Sequence, residues 1–129
     1  MKLLNKILFP ALLVASLFSA CKKDDKDDGP QRTSHKVVFK AIGSADVTLR
    51  NTGYGYDTQI TTATGIGGTT WTSAEMNVPA SAINANVVMN ATATSGTATL
   101  KVQIFVDGQL KKEGTGTGSI LTASATHVF

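Results

Sequence analysis

The sequence predicts an all-β domain, a small antiparallel sandwich of seven or eight strands that follows an export signal and a disordered tether. Three observations lead to this fold class. Apolar and polar residues alternate with a period of two in short segments. Glycine, asparagine, aspartate and serine separate these segments at nearly regular intervals. Only 16% of the residues are charged and 42% are hydrophobic, which is typical of a folded domain.

Eight segments within residues 35–129 carry the strand pattern. In the first, Val37 and Phe39 fall on one face and lysines fall on the other. The clearest segment places Leu100 and Ile104 on one face, with polar residues between them. The predicted strands span residues 35–41, 45–51, 56–63, 69–78, 86–94, 97–106, 110–114 and 120–129. Short strands with regular turn residues between them indicate a two-sheet sandwich.

One turn and the core composition can also be predicted. Asp107-Gly108 indicates a two-residue hairpin, because a type I′ turn requires positive φ angles at both central positions. The segment 110–114 is then the return strand of this hairpin. Residues 80–85 form one helical turn at most. The predicted core consists of small residues packed around Phe39 and Trp71.

Residues 1–20 are predicted to be an export signal. Lys2 and Lys6 form its positive end, and residues 7–18 form its apolar centre. This apolar run has 12 residues, whereas a helix that spans a bilayer needs about 20. A short apolar run between basic and small residues therefore indicates a cleaved secretory signal rather than a transmembrane helix.

The end of this signal predicts attachment of lipid to Cys21. An ordinary signal peptidase requires small residues one and three positions before the cut, and Phe18 is too large for the second of these. The sequence Phe18-Ser19-Ala20-Cys21 instead resembles a lipobox, with cleavage between Ala20 and Cys21 and acylation of the cysteine. Cys21 is the only cysteine, so no intramolecular disulfide can form. The alternative is a plain secreted protein with an incidental cysteine.

Residues 21–34 are predicted to be a disordered tether, because they are rich in charge and have no apolar residue after the cysteine. Lysine followed by paired acids directly after an acylated cysteine resembles the surface-export signal of Gram-negative lipoproteins. Here this motif consists of Lys22, Lys23, Asp24 and Asp25. It predicts a location on the outer membrane that faces the cell exterior. The alternatives are a generic solvated linker and a location on the periplasmic face.

The folded segment resembles a known family in the order of its strand motifs. These motifs are Val37-Val38-Phe39, Ala45-Asp46-Val47-Thr48, Thr70-Trp71-Thr72, Val78-Pro79, residues 98–108, and Lys112-Glu113. Over roughly residues 36–129 their order is similar to the extracytoplasmic domain of the mycobacterial membrane protein small (MmpS) family. The resemblance implies an immunoglobulin-like sandwich, an accessory role beside large lipid and siderophore exporters, and no catalytic residue. The chain lacks the cysteine pair typical of that family, and lipid replaces its transmembrane anchor.

Three aromatic residues form the candidate binding patch. Tyr54 and Tyr56 flank Gly55 in a segment expected to lead from a loop into a strand, and Phe105 falls on the polar face of its strand. Outward aromatic side chains beside a flexible loop can form a binding patch. The alternative is that the Tyr54 segment or the C-terminal strand covers Phe105.

No cofactor or metal site is predicted. His35 and His127 are the only histidines, while zinc requires three or four protein ligands at suitable spacing. The nucleophile motif Gly-x-Ser-x-Gly does not occur. The glycines at 65, 67 and 68 lead into a threonine-rich strand rather than the helix of a phosphate loop. The chain is therefore expected not to be an enzyme.

Charge argues against nucleic acid as a partner. Lys2 and Lys6 lie in the signal, which leaves ten basic residues against nine acidic ones downstream of it. A net charge near +1 creates no long-range field for a polyanion. The expected function is a lipid-anchored binding or accessory module whose protein partner is an exporter or a surface complex. The alternatives are a structural component that assembles with its own kind through strand edges, and an enzyme such as a hydrolase.

Overall fold

Alternating inward and outward side chains produce nine β-strands in residues 32–129, the part of the chain that the computed structural model describes. The strands are β1 (His35–Gly43), β2 (Val47–Tyr56), β3 (Gln59–Thr64), β4 (Thr70–Thr72), β5 (Met76–Val78), β6 (Asn84–Ala93), β7 (Thr99–Val106), β8 (Gln109–Thr117) and β9 (Ile120–Val128). The predicted all-β class is therefore confirmed. Within this range no helix has the length and apolar character needed to cross a membrane.

The strands form two antiparallel sheets. In sheet A, β1 pairs with β7 and β7 pairs with β8, while the short strands β4 and β5 both pair with the other edge of β1. In sheet B the strand order is β3-β2-β6-β9. The inner faces of both sheets contribute to one cluster of buried apolar side chains. This arrangement confirms the predicted two-sheet sandwich.

The core lies between the two inner faces. Phe39 and Ile104 from sheet A and Leu49 and Met89 from sheet B are fully buried. In β1, β6 and β7 every second residue is buried along most of the strand, as the period of two predicts. Trp71 lies in the edge strand β4, where it is half-buried and packs against the core. The tryptophan therefore forms part of the rim of the core rather than its centre.

Two tight turns connect neighbouring strands. Asp107 and Gly108 have φ angles of 51° and 84°, so the predicted hairpin between β7 and β8 is confirmed. A second hairpin, between β2 and β3, turns at Asp57, whose φ angle is 48°. The Asp57 carboxylate accepts hydrogen bonds from the backbone N–H groups of Ile83 and Asn84, at 2.9 and 3.1 Å. These bonds fix a turn that the residue types alone did not indicate.

The strand count of nine exceeds the predicted seven or eight, partly because the segment 69–78 is divided. Ser73 interrupts it between β4 and β5. The backbone N–H of Ser73 donates to the Phe39 carbonyl oxygen at 2.9 Å, and the Phe39 N–H donates to the Ser73 hydroxyl oxygen at 3.0 Å. Since the serine side chain takes the place of a backbone acceptor, the regular ladder along β1 is broken at this point.

The strand predicted for residues 45–51 is shifted and longer. Ala45, predicted to face inward, lies exposed in a turn, and β2 begins at Val47. The strand then continues through Gly53 and Gly55 to Tyr56, since it pairs with β3 on one side and β6 on the other. Pairing on both sides keeps glycines in a strand where the sequence alone suggests a loop.

Candidate binding face

The two tyrosines of the predicted patch are directed towards the core. Tyr54 and Tyr56 lie within β2 rather than in a loop, and both pack against the buried cluster. The Tyr54 ring centroid is 5.4 Å from that of Phe39 and 5.1 Å from that of Trp71. These distances are typical of tilted and edge-on aromatic packing. Tyr54 therefore links the two sheets at the rim of the core.

Phe105 lies on the other face of sheet A from these contacts. It belongs to β7 of sheet A, between the buried residues Ile104 and Val106, so its ring is on the outer face. The Lys40 ammonium lies 4.7 Å from the centroid of this ring, within cation–π range. Lys40, rather than the Tyr54 segment or the C-terminal strand, thus covers Phe105. The structure does not bring Phe105 together with the tyrosines.

Phe105 is instead the centre of an apolar row that crosses three strands. In the register of sheet A, Val38 of β1 is opposite Phe105, and Phe105 is opposite Leu110 of β8. Val38 and Phe105 are half-buried, and Leu110 remains 47% exposed. We call this set of side chains the Val38–Phe105–Leu110 row. Three aligned apolar side chains on an outer face form a hydrophobic surface, and its exposure to water costs free energy.

Charged side chains border the row. Lys36 and Lys40 lie on the same outer face of β1, on either side of Val38. The Lys36 ammonium is 3.6 Å from the Glu75 carboxylate, and both side chains remain more than half exposed. These residues and Phe105 line a shallow hollow of about 300 Å³. An apolar centre with an exposed charged border is typical of a surface that recognises a protein.

A β-bulge determines which residues of β8 join this face. The pairing shifts between Ile104 and Phe105, so that Lys112 rather than Lys111 is opposite Ile104. Beyond the bulge, Glu113 is opposite Gln103 on the outer face and accepts a hydrogen bond from its side-chain amide at 2.7 Å. Without the extra residue, Glu113 would be placed on the inner face. The bulge therefore places Glu113 on the outer face, whereas Lys112, opposite the buried Ile104, lies on the inner side of β8 and remains exposed to solvent.

A second hollow, of about 410 Å³, lies where β1 and β9 meet the β7–β8 turn. The His35 ring stacks on Phe129 with centroids 5.1 Å apart, and His127 meets Phe129 edge-on at 5.0 Å. The hydrogen bond from His35 lowers the pKa of the Asp107 carboxyl. The pKa of His127 is lowered mainly by burial and secondly by the positive charge of Lys111.

Within residues 32–129, no group of three or more His, Cys, Asp or Glu is arranged to hold a metal ion.

A third hollow, of about 350 Å³, lies on the outer face of sheet B. Gly53 lines it together with polar uncharged side chains and the apolar residues Ala63 and Val88. The Asn90 amide donates to the Asn51 side-chain oxygen at 2.9 Å, and the Thr122 hydroxyl donates to the Asn90 oxygen at 2.8 Å. Because these groups satisfy one another, this surface has less to gain from a ligand than the apolar row of sheet A.

Residues predicted to carry the anchor lie outside the described range. They are Ala20, Cys21, Lys22, Lys23, Asp24 and Asp25.

No family model matches the chain, and no curated protein matches it either.

Proposed function

We propose that this chain is an exported lipoprotein, held at the outer membrane by acyl chains on Cys21, whose sandwich is a non-enzymatic binding module facing the cell exterior. The periplasmic face is the alternative location. The observation that supports a binding role is the Val38–Phe105–Leu110 row with its charged border. The partner that we propose is a protein with an apolar strip and acidic groups beside it, since Lys36 and Lys40 border the row.

The anchor follows from the sequence and from the energetics of acyl chains. Each buried CH₂ group of a fatty chain contributes about 0.8 kcal/mol, and one chain alone binds a membrane only marginally. Lipobox processing places several chains on one cysteine, which makes release from the bilayer negligible. The tether of residues 21–34 then separates the sandwich from the membrane surface.

Site-specific photocrosslinking in cells that produce the full-length protein tests the binding role. A photoreactive residue at Leu110 should form an adduct with a partner protein, because this side chain is exposed at the end of the row. The same residue at Thr122, on the outer face of sheet B, is the matched control. We expect an adduct from position 110 that disappears in the Phe105→Ser variant.

Two outcomes would contradict the proposal. One is the same adduct from positions 110 and 122, and the other is an adduct from position 110 that Phe105→Ser does not reduce. Tyr56→Ser is a weaker test, since Tyr56 packs against the core and its loss affects folding. If the adduct contains a transport protein, the accessory role implied by the MmpS resemblance gains support. If it contains another surface protein, a surface complex is favoured.

A structural, self-assembling role is the second candidate. The observation that favours it is the uncharged edge strand β3, which has a pairing partner on one side only. Binding through sheet A and assembly through sheet B use different surfaces, so one chain can do both.

A further inference from the structure

Edge strands are where a sandwich can pair with another chain, because half of their backbone N–H and C=O groups have no partner in the sheet. In the described residues, sheet A ends at β8 and at the pair β4 and β5, and sheet B ends at β3 and β9. Natural sandwiches protect such edges with charges, bulges, short strands or a cover. One of these edges lacks all four devices.

The edges of sheet A carry three of these devices. On one side, β4 and β5 have three residues each and are separated by the interruption at Ser73. On the other side, β8 contains the charged run of Lys111, Lys112 and Glu113, together with the bulge. A strand that approached either edge would meet a broken ladder or a row of charges.

The remaining edge of sheet B, β9, is covered by β8. A Cβ atom at Gly114 would overlap the backbone carbonyl of Ser124, and one at Gly116 would overlap that of Thr122. The backbones of β8 and β9 are therefore in direct contact, which only glycine permits. This contact closes the sandwich along one side and leaves no room for an added strand.

Strand β3 has none of these protections. Its six residues, Gln59–Thr64, include no charged residue, no proline and no glycine. All of them except Ala63 are exposed, and Ile60 is 49% exposed. The pairing with β2 runs without a bulge from Tyr56 opposite Gln59 to Asn51 opposite Thr64. A regular, uncharged edge of this length and high β-propensity is the kind that accepts another strand.

We propose that β3 pairs with β3 of a second copy of this chain, in antiparallel orientation, which joins two four-stranded sheets into one. Continuity of the sheet requires that paired residues face the same side, and Ile60, Thr62 and Thr64 share the outer face. Two registers meet this condition and keep most of the strand paired. One places Thr61 opposite Thr61 of the second copy, and the other places Thr62 opposite Thr62. Both are two-fold symmetric, as isologous dimers are.

The strand itself supports a second copy as the partner. Neither register brings two charges together. Each places a threonine opposite its symmetry mate and Ile60 opposite a threonine, pairs that favour sheets, while Ala63 is opposite Gln59 or Thr61. Six residues alone bury too little surface for a stable dimer in dilute solution. Confinement of many copies to one membrane raises their effective concentration, and this part of the argument rests on the proposed lipid anchor.

Cysteine crosslinking of the full-length protein in native membranes tests the pairing. The variants are Thr61→Cys and Thr62→Cys, and the control is Thr122→Cys on the outer face of β9. At least one β3 variant should give a disulfide-linked dimer, and the Thr122→Cys variant should not. Ile60→Lys, combined with the reactive cysteine, should abolish the dimer because each edge then carries a charge. Ile120→Lys, a change of an 82% exposed residue of β9, should leave it unchanged.

The possible results distinguish a failure of the proposed strand pairing from a failure of the proposed lipid anchor. Absence of a dimer from both β3 variants, with the sandwich shown to be folded by its β-type circular dichroism, would overturn the pairing. An adduct with a different protein would overturn the choice of a second copy. A dimer from the parent chain would arise from a free Cys21 thiol, and it would contradict the lipid anchor without affecting the comparison between β3 and β9.

Discussion

The His35 side chain donates a hydrogen bond of 2.7 Å from Nδ1 to the Asp107 carboxylate, joining the first residue of β1 to the turn between β7 and β8. The same carboxylate accepts a bond of 2.9 Å from the backbone N–H of Lys36. These contacts bring together residues more than seventy positions apart. They hold β1 against the hairpin that carries Leu110.

Asp107→Asn should lower the melting temperature at neutral pH but not in acid. The His35 hydrogen bond lowers the pKa of Asp107 below that of an ordinary aspartate, so its contribution to stability is complete above the unfolded value of about 3.9. This contribution is lost as the pH falls through the lower folded value. Asparagine tolerates the positive φ angle of 51° at this position, so the turn itself is kept.

Thermal melts of both proteins at about pH 6 and about pH 2 check this prediction. Asp107→Ala, which also removes the preference for positive φ, should be less stable than Asp107→Asn at every pH. Equal melting temperatures for the wild type and Asp107→Asn at both values would contradict the role of the hydrogen bond.

Gly114→Ala should destabilise the sandwich, because the new Cβ overlaps the carbonyl group of Ser124. Overpacking of this kind costs about 1–3 kcal/mol of unfolding free energy. Gly96→Ala is the control, since nothing lies within 4 Å of a Cβ there and a change of about 0.5 kcal/mol or less is expected. Urea unfolding, followed by the fluorescence of the single tryptophan, measures both. Similar stability of the two variants would show that β8 and β9 separate without cost.

Leu100→Ala should reduce the free energy of unfolding by about 2–5 kcal/mol, because it creates a cavity at a fully buried position of β7. A loss of this size is a large part of the stability of a small domain. Ile120→Ala removes a side chain that is 82% exposed, and it should change the stability by less than about 0.5 kcal/mol. Comparable losses in the two variants would be inconsistent with a core between sheets A and B.

Local sequence signals predicted the strand types and one turn. The hairpin at Asp107-Gly108 depends on two adjacent residues, and its two-residue length already places Leu110 opposite Phe105. Leu110 could therefore have been assigned to the candidate face by counting from the turn. The inward side chains of β1 and β7 also follow from a period of two, which needs no knowledge of the partner strand.

Distant pairing determined what the local signals missed. The division of β4 from β5 depends on the bonds between Ser73 and Phe39. The position of Val38 beside Phe105 depends on the register between β1 and β7. Tyr54 was predicted to lie near a loop, and only the pairing of β2 with two neighbours directs it towards Phe39. Such relationships are not encoded in neighbouring residues.

Replacement of the four residues Lys22, Lys23, Asp24 and Asp25 by alanine should keep the protein lipidated but retain it on the periplasmic face. The reason is that the proposed surface-export signal lies in these charges and not in the lipobox. Digestion of intact cells with an external protease checks the location. The wild type should be degraded and the alanine variant protected until the cells are opened. Equal digestion of both would show that this motif does not direct surface export.

The mass of the N-terminal peptide of the native protein shows whether the chain is anchored by lipid at Cys21. We expect the mature chain to begin at Cys21 and to carry a diacylglyceryl group on sulfur and a fatty acyl group on the α-amine. An unmodified thiol at this residue, or a mature chain that begins elsewhere, would contradict a lipid-anchored binding module.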